Sequence, residues 1–567
     1  MNQDLSTSLW PKRSGLILVL AFVLVYILPL GVRPIVIPDE TRYAMIPWEM
    51  IQSGDWAVPR LIGLSYFEKP VLGYWLNAAS MLVLGETPMA IRLSSALAAG
   101  LAALVIHLLA RRFFRDRSTA LLAPAIFLTM GWVYAIGTFS VLDSPLTGFL
   151  TVACALFFLA AQTPPGLKRQ IFLALFGVVC GLAFMTKGFT AFAVPVVTIV
   201  PYMLWEKRWK ELFTLCWTPM LFAFLTALPW ALVVHGREPD FWRYFFWVEH
   251  IQRYLSDEAQ HPQPLWFFLP VLLAGALPWT LLFPAAAKGI AREHLKLPLI
   301  RYAVCWALFP FLFFSASSGK LGTYILPCFP PLALLMAFGL VRVWESRNKL
   351  IQGAAVFMMV FLGLGLLVVW GVHLFGPDAI RPYTGPEAWK NLLAGAAILS
   401  WLGILAWIVR KRIPARTVQA FALAPIPAMI MVPFLFPTQL VGEIKAPGAF
   451  LEKNAHLVRP EAVVFSDDHV FRAVAWYYRR PDVNILLGAG EISYGINTPE
   501  GQGRKFGLDE FSRLVTDPNR SVPVILVQKR SRREKYMDHL PTPSFVDQNR
   551  GFVFQLFDPP GPSAAEP

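Results

Sequence analysis

Long apolar runs constrain this chain more than any other feature in it. Thirteen stretches have the length and apolarity of a bilayer span, near residues 15–32, 89–110, 119–138, 144–162, 170–185, 189–205, 212–235, 264–287, 302–316, 322–341, 350–374, 390–409 and 417–438. A span needs roughly 17–25 apolar residues. Within hydrocarbon its backbone groups must bond inside the segment, so each run is expected to be a helix. Only 15% of the 567 residues are charged and 56% are hydrophobic, against about 25% charged in soluble domains. The expected fold is a polytopic α-helical membrane protein with about 13 transmembrane helices over residues 1–439. The stretch 71–85 is apolar but short, and reads as an interfacial helix within 33–88. Lys12 and Arg13 precede Gly15–Leu30 with no small-x-small cleavage site, so the first run reads as a retained helix. The five cysteines, Cys154, Cys180, Cys216, Cys305 and Cys328, sit in apolar runs without a spacing motif and read as small core residues.

The basic residues set the orientation. With 71–85 left out of the spans, every second loop is strongly basic: Arg111–Arg117, Lys168/Arg169, Lys207–Lys210, Lys288–Arg301, Arg342–Lys349 and Arg410–Arg416. Together with Lys12 and Arg13 that side holds 22 Lys and Arg, and by the positive-inside rule it faces the cytoplasm. Residues 33–88, the loops at Asp143, Lys187, 236–263, Lys320 and 375–389, and the tail from about 440 then face outward. The tail, 440–567, balances 16 Lys and Arg with 16 Asp and Glu, so the net charge of +14 lies in the membrane part and is a matter of topology, not of nucleic-acid binding. Strand-like runs at Ala462–Phe465, Val483–Leu487, Val522–Val527 and Phe552–Phe557 alternate with helical runs at Val470–Tyr478 and Asp509–Val515, the pattern of a small α/β domain.

No Asp, Glu, Lys or Arg occupies the middle of a span, which disfavours an ion-coupled transporter. The ionisable groups gather at the outward ends instead. Asp39 and Glu40 in Pro38-Asp39-Glu40-Thr41-Arg42-Tyr43 read either as first-turn acids favouring a helix dipole or as chemistry, and Asp39 leans to chemistry. Tyr66-Phe67-Glu68-Lys69-Pro70 is either an exposed ion pair beside aromatic anchors or a phosphate-binding Lys. Asp143 in Leu142-Asp143-Ser144-Pro145 suits an N-cap, and Lys187 suits a helix end. The aromatic loop Phe241–Leu255 suits an interfacial helix and adds Glu249, His250 and Arg253. His250 with Glu68 or Glu249 is a candidate divalent-metal pair, although no spacing demands it. Ser318-Gly319-Lys320-Leu321-Gly322-Thr323-Tyr324 lacks P-loop spacing. Cations at Arg42, Lys69, Arg253 and Lys320 suit a lipid-linked phosphate, and the carboxylates suit a sugar or a developing oxocarbenium charge.

These residues carry a resemblance. Pro38–Ala44, Gly54-Asp55-Trp56-Ala57-Val58-Pro59-Arg60, Tyr66–Pro70 and Phe245–Arg253 resemble the bacterial lipid A 4-amino-4-deoxy-L-arabinose transferases. Those belong to the wider protein O-mannosyltransferase-like group with the GT-C fold. The likeness runs along the whole chain, including Gly319–Pro327 and the tail, and there is no Trp-Trp-Asp-Tyr-Gly motif of an oligosaccharyltransferase. It implies an undecaprenyl phosphate-linked aminoarabinose donor, a lipid A phosphate acceptor and an inverting transfer at the periplasmic face of the bacterial inner membrane. It also implies Asp39 and Asp143 as catalytic carboxylates, and Lys69, Arg253 and Tyr324 as ligands of the lipid phosphate. Glu40, Arg42, Tyr43, Tyr66, Lys187 and Lys320 are further substrate-binding candidates. Glu68 and His250 match positions where a metal ion sits, and no cofactor is otherwise called for. Two alternatives stand beside this reading: a protein O-mannosyltransferase-like enzyme with a related donor, and a polyprenyl-lipid transporter.

Overall fold

The computed structural model describes residues 13–252, 262–344, 348–377, 380–411 and 414–560. The chain forms two compact units. One comprises Met1–Leu30, Arg92–Gly376 and Pro386–Leu435; the other comprises Gly31–Ile91, Pro377–Gly385 and Phe436–Pro567. The sequence suggests a boundary near 440 with 33–88 in the membrane part, whereas 31–91 clusters with the tail.

The first unit is helical. Among the described residues, ten helices have the length and apolarity to cross a membrane, and two bent pairs bring the count to twelve. The expected thirteenth, Thr190–Trp205, has 16 residues with Pro195 and Pro201 inside it; at 1.5 Å per residue it is about 24 Å long, short of a ~30 Å hydrocarbon core. The expected spans 119–138 and 264–287 are the bent pairs, turning by 63° at Leu128–Gly131 and by 94° at Gly275–Trp279. The two breaks satisfy one another. The Gly131 amide donates to the Leu277 carbonyl at 3.0 Å, and the Trp279 indole donates to the Thr129 hydroxyl at 2.9 Å. A broken helix at membrane depth needs such internal partners, because lipid offers none. Arg92, wholly buried near the start of the helix Pro88–Phe113, donates to the Leu30 carbonyl at 2.6 Å.

The second unit holds α1 (Asp39–Ser53), a hairpin of β1 (Arg60–Leu61) and β2 (Leu64–Ser65), and α2 (Leu72–Leu84). At 13 residues α2 is too short to span, as its sequence suggests. The tail adds β3 (Val463–Ser466), α3 (Phe471–Tyr478), β4 (Asn484–Leu486), β5 (Lys505–Phe506), α4 (Leu508–Thr516), β6 (Val524–Lys529), α5 (Arg530–Tyr536), β7 (Phe545–Gln548) and β8 (Phe552–Phe557). The six strands run in the order β5-β4-β3-β6-β8-β7, parallel from β5 to β6 and antiparallel beyond. Phe465, Leu486, Phe511, Val515, Val524, Leu526 and Phe557 form a core beneath α4. The four strand-like and two helical runs of the sequence all appear; β5, β7 and α5, which are short or mostly exposed, carry no such signal.

The 31–91 segment is fastened to the tail inside this unit. The Ile37 amide donates to the Lys445 carbonyl at 2.8 Å, and Phe67 packs on Tyr494 with ring centroids 4.6 Å apart. Arg504 donates to the carbonyls of Ile62 and Val483 at 3.2 and 2.8 Å, tying the β1–β2 turn to β4. Gly495 lies against this hairpin; a Cβ there would stand 2.7 Å from the Ser65 carbonyl oxygen.

Candidate functional site

The first group of candidate residues stands at the N-terminus of α1. Asp39 and Glu40 both occupy the first turn, but neither caps it, since Pro38 holds the cap position without a side-chain bond. The two acids have opposite fates. Glu40 is wholly buried, and its oxygens take the Arg33 guanidinium at 2.8 and 2.9 Å and the Val36 amide at 3.0 Å. That carboxylate braces the turn into α1 and presents nothing to a substrate, so its expected binding role is corrected to a structural one. Asp39 keeps its side chain 40% exposed and pairs with Arg42 one turn later at 2.5 Å.

Arg42 is the hub. Its Nη2 holds Asp39 Oδ1, while its Nη1 reaches Glu491 at 2.8 Å and the Tyr66 hydroxyl at 3.3 Å. Glu491, on the loop after β4, takes Arg472 of α3 with its second oxygen at 2.9 Å. Burial alone would push the Glu491 carboxyl up, but the facing guanidiniums of Arg42 and Arg472 outweigh it and hold it below its ordinary range. Tyr66 donates to Glu68 at 2.9 Å, and burial pushes its phenol well up, so it stays a donor. The Arg42 guanidinium lies 4.9 Å from the Tyr43 ring centre, and Tyr43 stacks on Tyr74. Lys69 donates to the Glu68 carbonyl at 2.8 Å. Asp39, Arg42, Tyr43, Tyr66 and Glu68 thus meet in one place. Glu491 and Arg472 join them without having been anticipated. The available signal was the Gly-rich turn Gly488-Ala489-Gly490-Glu491 directly after a strand.

The second group belongs to the helical unit. Asp143 begins the helix Asp143–Ala161, and Leu142, not Asp143, holds the cap position. The capping reading therefore gives way: the carboxylate takes the Lys187 ammonium at 2.6 Å, with both side chains mostly buried. Lys187 ends the helix Leu167–Lys187, as its position suggested, and its ammonium also lies 5.1 Å from the Tyr324 ring centre. Such a pair is costly to break, because the surviving charge is left in a poorly solvated place. Lys320 is corrected in the same way as Glu40. It is 4% exposed and its ammonium is spent on the carbonyls of Gln263 and Ser317 at 2.8 and 2.5 Å, so it closes a loop and offers no charge outward.

Near Lys187 in sequence, Phe184 stacks on Phe192 and meets Phe245 edge-on, Phe189 packs at a tilt against Phe245, and Phe246 packs edge-on against Phe189. An apolar cavity of about 510 Å³ opens among Phe184, Phe189, Phe192, Met220 and Trp242. A second, of about 350 Å³, shares Phe192, Met220 and Ala223 with it and continues past Pro195 to Phe157. Arg253 and the side chain of His250 lie outside the described residues. Glu68 accepts the Tyr66 hydroxyl on one carboxylate oxygen. Among the described residues one group of three ligand-type side chains comes together, Asp467, Asp468 and His469. Asp467 there accepts from the amides of Lys529, His469 and Val470 at 2.6, 2.9 and 2.9 Å, which is the work of a turn carboxylate rather than of a metal ligand.

The family model of dolichyl-phosphate-mannose-protein mannosyltransferases matches residues 13–245, and that of the C-terminal domain of the arabinosyl transferase ArnT matches residues 443–556. A protein of Shewanella sediminis named undecaprenyl phosphate-alpha-4-amino-4-deoxy-L-arabinose arabinosyl transferase is 39% identical over 549 residues, covering 96% of this chain and 98% of its own. A protein of the same name from Aeromonas hydrophila is 40% identical, covering 90% and 93%. Among solved structures, ArnT from Cupriavidus metallidurans bound to undecaprenyl phosphate is similar with a TM-score of 0.82 at 25% identity, covering 98% of this chain and 100% of that one.

Proposed function

We infer the reaction from one premise: the chain belongs to the undecaprenyl phosphate-4-amino-4-deoxy-L-arabinose arabinosyl transferase family. It is a multi-span membrane glycosyltransferase that moves 4-amino-4-deoxy-L-arabinose from undecaprenyl phosphate to phosphate groups of lipid A. The observation that carries this reading is the likeness to named relatives over nearly the full length, tail included. The new ammonium on a phosphate reduces the negative charge of the surface and so weakens its hold on polymyxin and other cationic peptides. The basic alternate loops support an inner-membrane protein with a cytoplasmic N-terminus and with its site and tail in the periplasm.

An acceptor phosphate oxygen attacks the anomeric carbon, that carbon's bond to the donor oxygen breaks, and undecaprenyl phosphate leaves with inversion. A phosphate monoester has its second pKa near about 6 and is anionic at pH 7. The nucleophile therefore needs no strong base. Asp39 orients the donor and stabilises positive charge building on the sugar, in the geometry that Arg42 imposes. Asp143, with Lys187, is the second acid of the reaction. The lipid-phosphate role stays with Lys69, Arg253 and Tyr324. The apolar cavities past Phe184 and Phe192 suit an isoprenoid tail. A divalent ion on Glu68 is not needed for any of these steps.

Lipid A mass spectrometry tests the reading. Wild type and Asp39→Asn are expressed in a bacterium that makes the donor but lacks its own transferase. Aminoarabinose added by the wild type alone is the expected result. Asp39→Asn of near-normal activity refutes the role of Asp39, and no addition by either, with both present in the membrane, refutes the substrate.

A further inference from the structure

We propose that Glu491, in the C-terminal α/β part of the chain, is a positioning residue for transfer, acting on Asp39 through Arg42. The proposal rests on the reaction assigned above. It begins with the way one guanidinium is shared. Arg42 has two carboxylates to serve, Asp39 at 2.5 Å and Glu491 at 2.8 Å, and it gives one terminal nitrogen to each. Among the described residues, Asp39 Oδ2 accepts no hydrogen bond. An Arg that faces a single carboxylate prefers to grip both oxygens in a fork. Glu491 holds Nη1 away from the end-on fork in which both terminal nitrogens would grip Asp39, and so leaves Asp39 an oxygen and most of its charge for a substrate.

Glu491 is itself fixed from behind. Arg472 holds its second oxygen at 2.9 Å, and the Arg472 guanidinium, buried, lies 4.4 Å from the Phe471 ring centre and donates to the Asp468 carbonyl at 3.3 Å. Asp468 and Arg472 follow β3, and Glu491 follows β4. These are carboxyl ends of parallel strands, where α/β sheets present their working loops. Here the loops present a carboxylate to α1. The tail, on this account, is part of the catalytic apparatus and does more than support it.

The test uses purified full-length protein in detergent, a polyprenyl phosphate-aminoarabinose donor and lipid A, with product followed by mass spectrometry. Glu491→Gln is expected to lower kcat by about 10- to 100-fold, the scale of an approximately 1 Å misplacement of a reacting group, with donor KM changed less than about threefold. The deciding measurement is the combination with Arg42→Lys. If Glu491 acts through Arg42, adding Glu491→Gln to Arg42→Lys changes kcat by less than about twofold. A residue that only supported the fold would reduce it again in that background, and that outcome overturns the proposal. Glu500→Gln, which alters the half-exposed pair with Arg60, serves as the control with wild-type rates. If Glu491→Gln does not survive purification, Glu491→Asp carries the test: it keeps the charge and withdraws it from Arg42 by one methylene, and a wild-type kcat in it overturns the proposal. Transfer by the wild type with Glu491→Gln unimpaired overturns the proposal alone. No transfer by the wild type overturns the assigned reaction as well.

Discussion

Glu49 gives the second unit a titratable fastening. Its carboxylate projects from α1 and accepts the amides of Ile62 and Gly63 at 2.6 and 2.8 Å. Those residues form the two-residue turn between β1 and β2, with φ of +53° and +77°. Gly accepts that geometry, whereas a β-branched Ile does so only when its surroundings enforce it. Burial pushes the Glu49 carboxyl up from 4.5 to about 7, against the lowering by the Gly63 and Ile62 amides. The folded chain thus binds this proton more tightly than the unfolded chain. The contribution to stability is full below about pH 4.5 and is lost as pH rises through 7. At about 1.36 kcal/mol per pH unit, that window is worth about 3 kcal/mol. Glu49→Gln removes the titration. It also costs about 1–3 kcal/mol at every pH, since one amide loses its acceptor, but that loss is flat. The assay is the thermal midpoint of the full-length protein in detergent at pH 5 and pH 7.5. A 150–250-residue domain shifts by about 2–4 °C per kcal/mol, and a longer chain by less, so the gap between wild type and variant should be about 5 °C wider at pH 5. Equal gaps at the two pH values would refute the reasoning.

Two further perturbations test other parts of the chain. Lys187→Met leaves Asp143 with an unpaired charge in a mostly buried place, and should destabilise by about 3 kcal/mol and abolish transfer; adding Asp143→Asn should restore part of the thermal midpoint but none of the activity. In the helical unit, a Cβ on Gly339 would stand 2.1 Å from the Ala286 carbonyl oxygen. Gly339→Ala must therefore push two helices apart, at about 1–3 kcal/mol or more, and should reduce the monodisperse fraction on size-exclusion chromatography; an unchanged profile and midpoint would show that the helices yield freely.

The spans were legible because apolar length in a bilayer leaves one fold available, and the short run at 71–85 was separable by the same arithmetic. The bends at Thr129 and Pro278 were not, since their cause is a pair of bonds between segments about 150 residues apart. Asp39 announced itself through company: Arg42, Tyr43, Tyr66 and Glu68 lie within thirty residues of it. Glu40 and Lys320 show what adjacency cannot tell. Both sit in charged clusters, yet Arg33 consumes one and two backbone carbonyls the other. Asp143 shows the reverse error, a residue whose spacing suits a cap and whose partner lies 44 residues away. Glu491 and Arg472 were hidden for the plainest reason, a separation of more than 400 residues from Arg42.

The distribution of charge sets Asp39 apart from the other ion-paired groups named above. In the basic loops Arg169 and Arg208 share Glu211, and Arg301 takes Glu206. Those pairs relieve repulsion without changing orientation, which depends on the count of Lys and Arg and not on net charge. The row Asp39–Arg42–Glu491–Arg472 alternates in sign and sums to zero, the arrangement that makes removal from water least costly. The carboxylates in it are the more exposed, 40% at Asp39 and 27% at Glu491, against 11% at Arg42 and 4% at Arg472. The cations are sealed inside and the terminal carboxylate is left at the surface. In the role proposed for Asp39, an anion so presented would already be oriented before a sugar arrives, and pre-orientation spares the reorganisation that water would otherwise have to make as charge develops. Removing Arg42 would leave Asp39 unaimed. The variant should then keep donor binding and lose rate, whereas loss of a simple structural ion pair would lower the thermal midpoint and leave the rate per folded molecule intact.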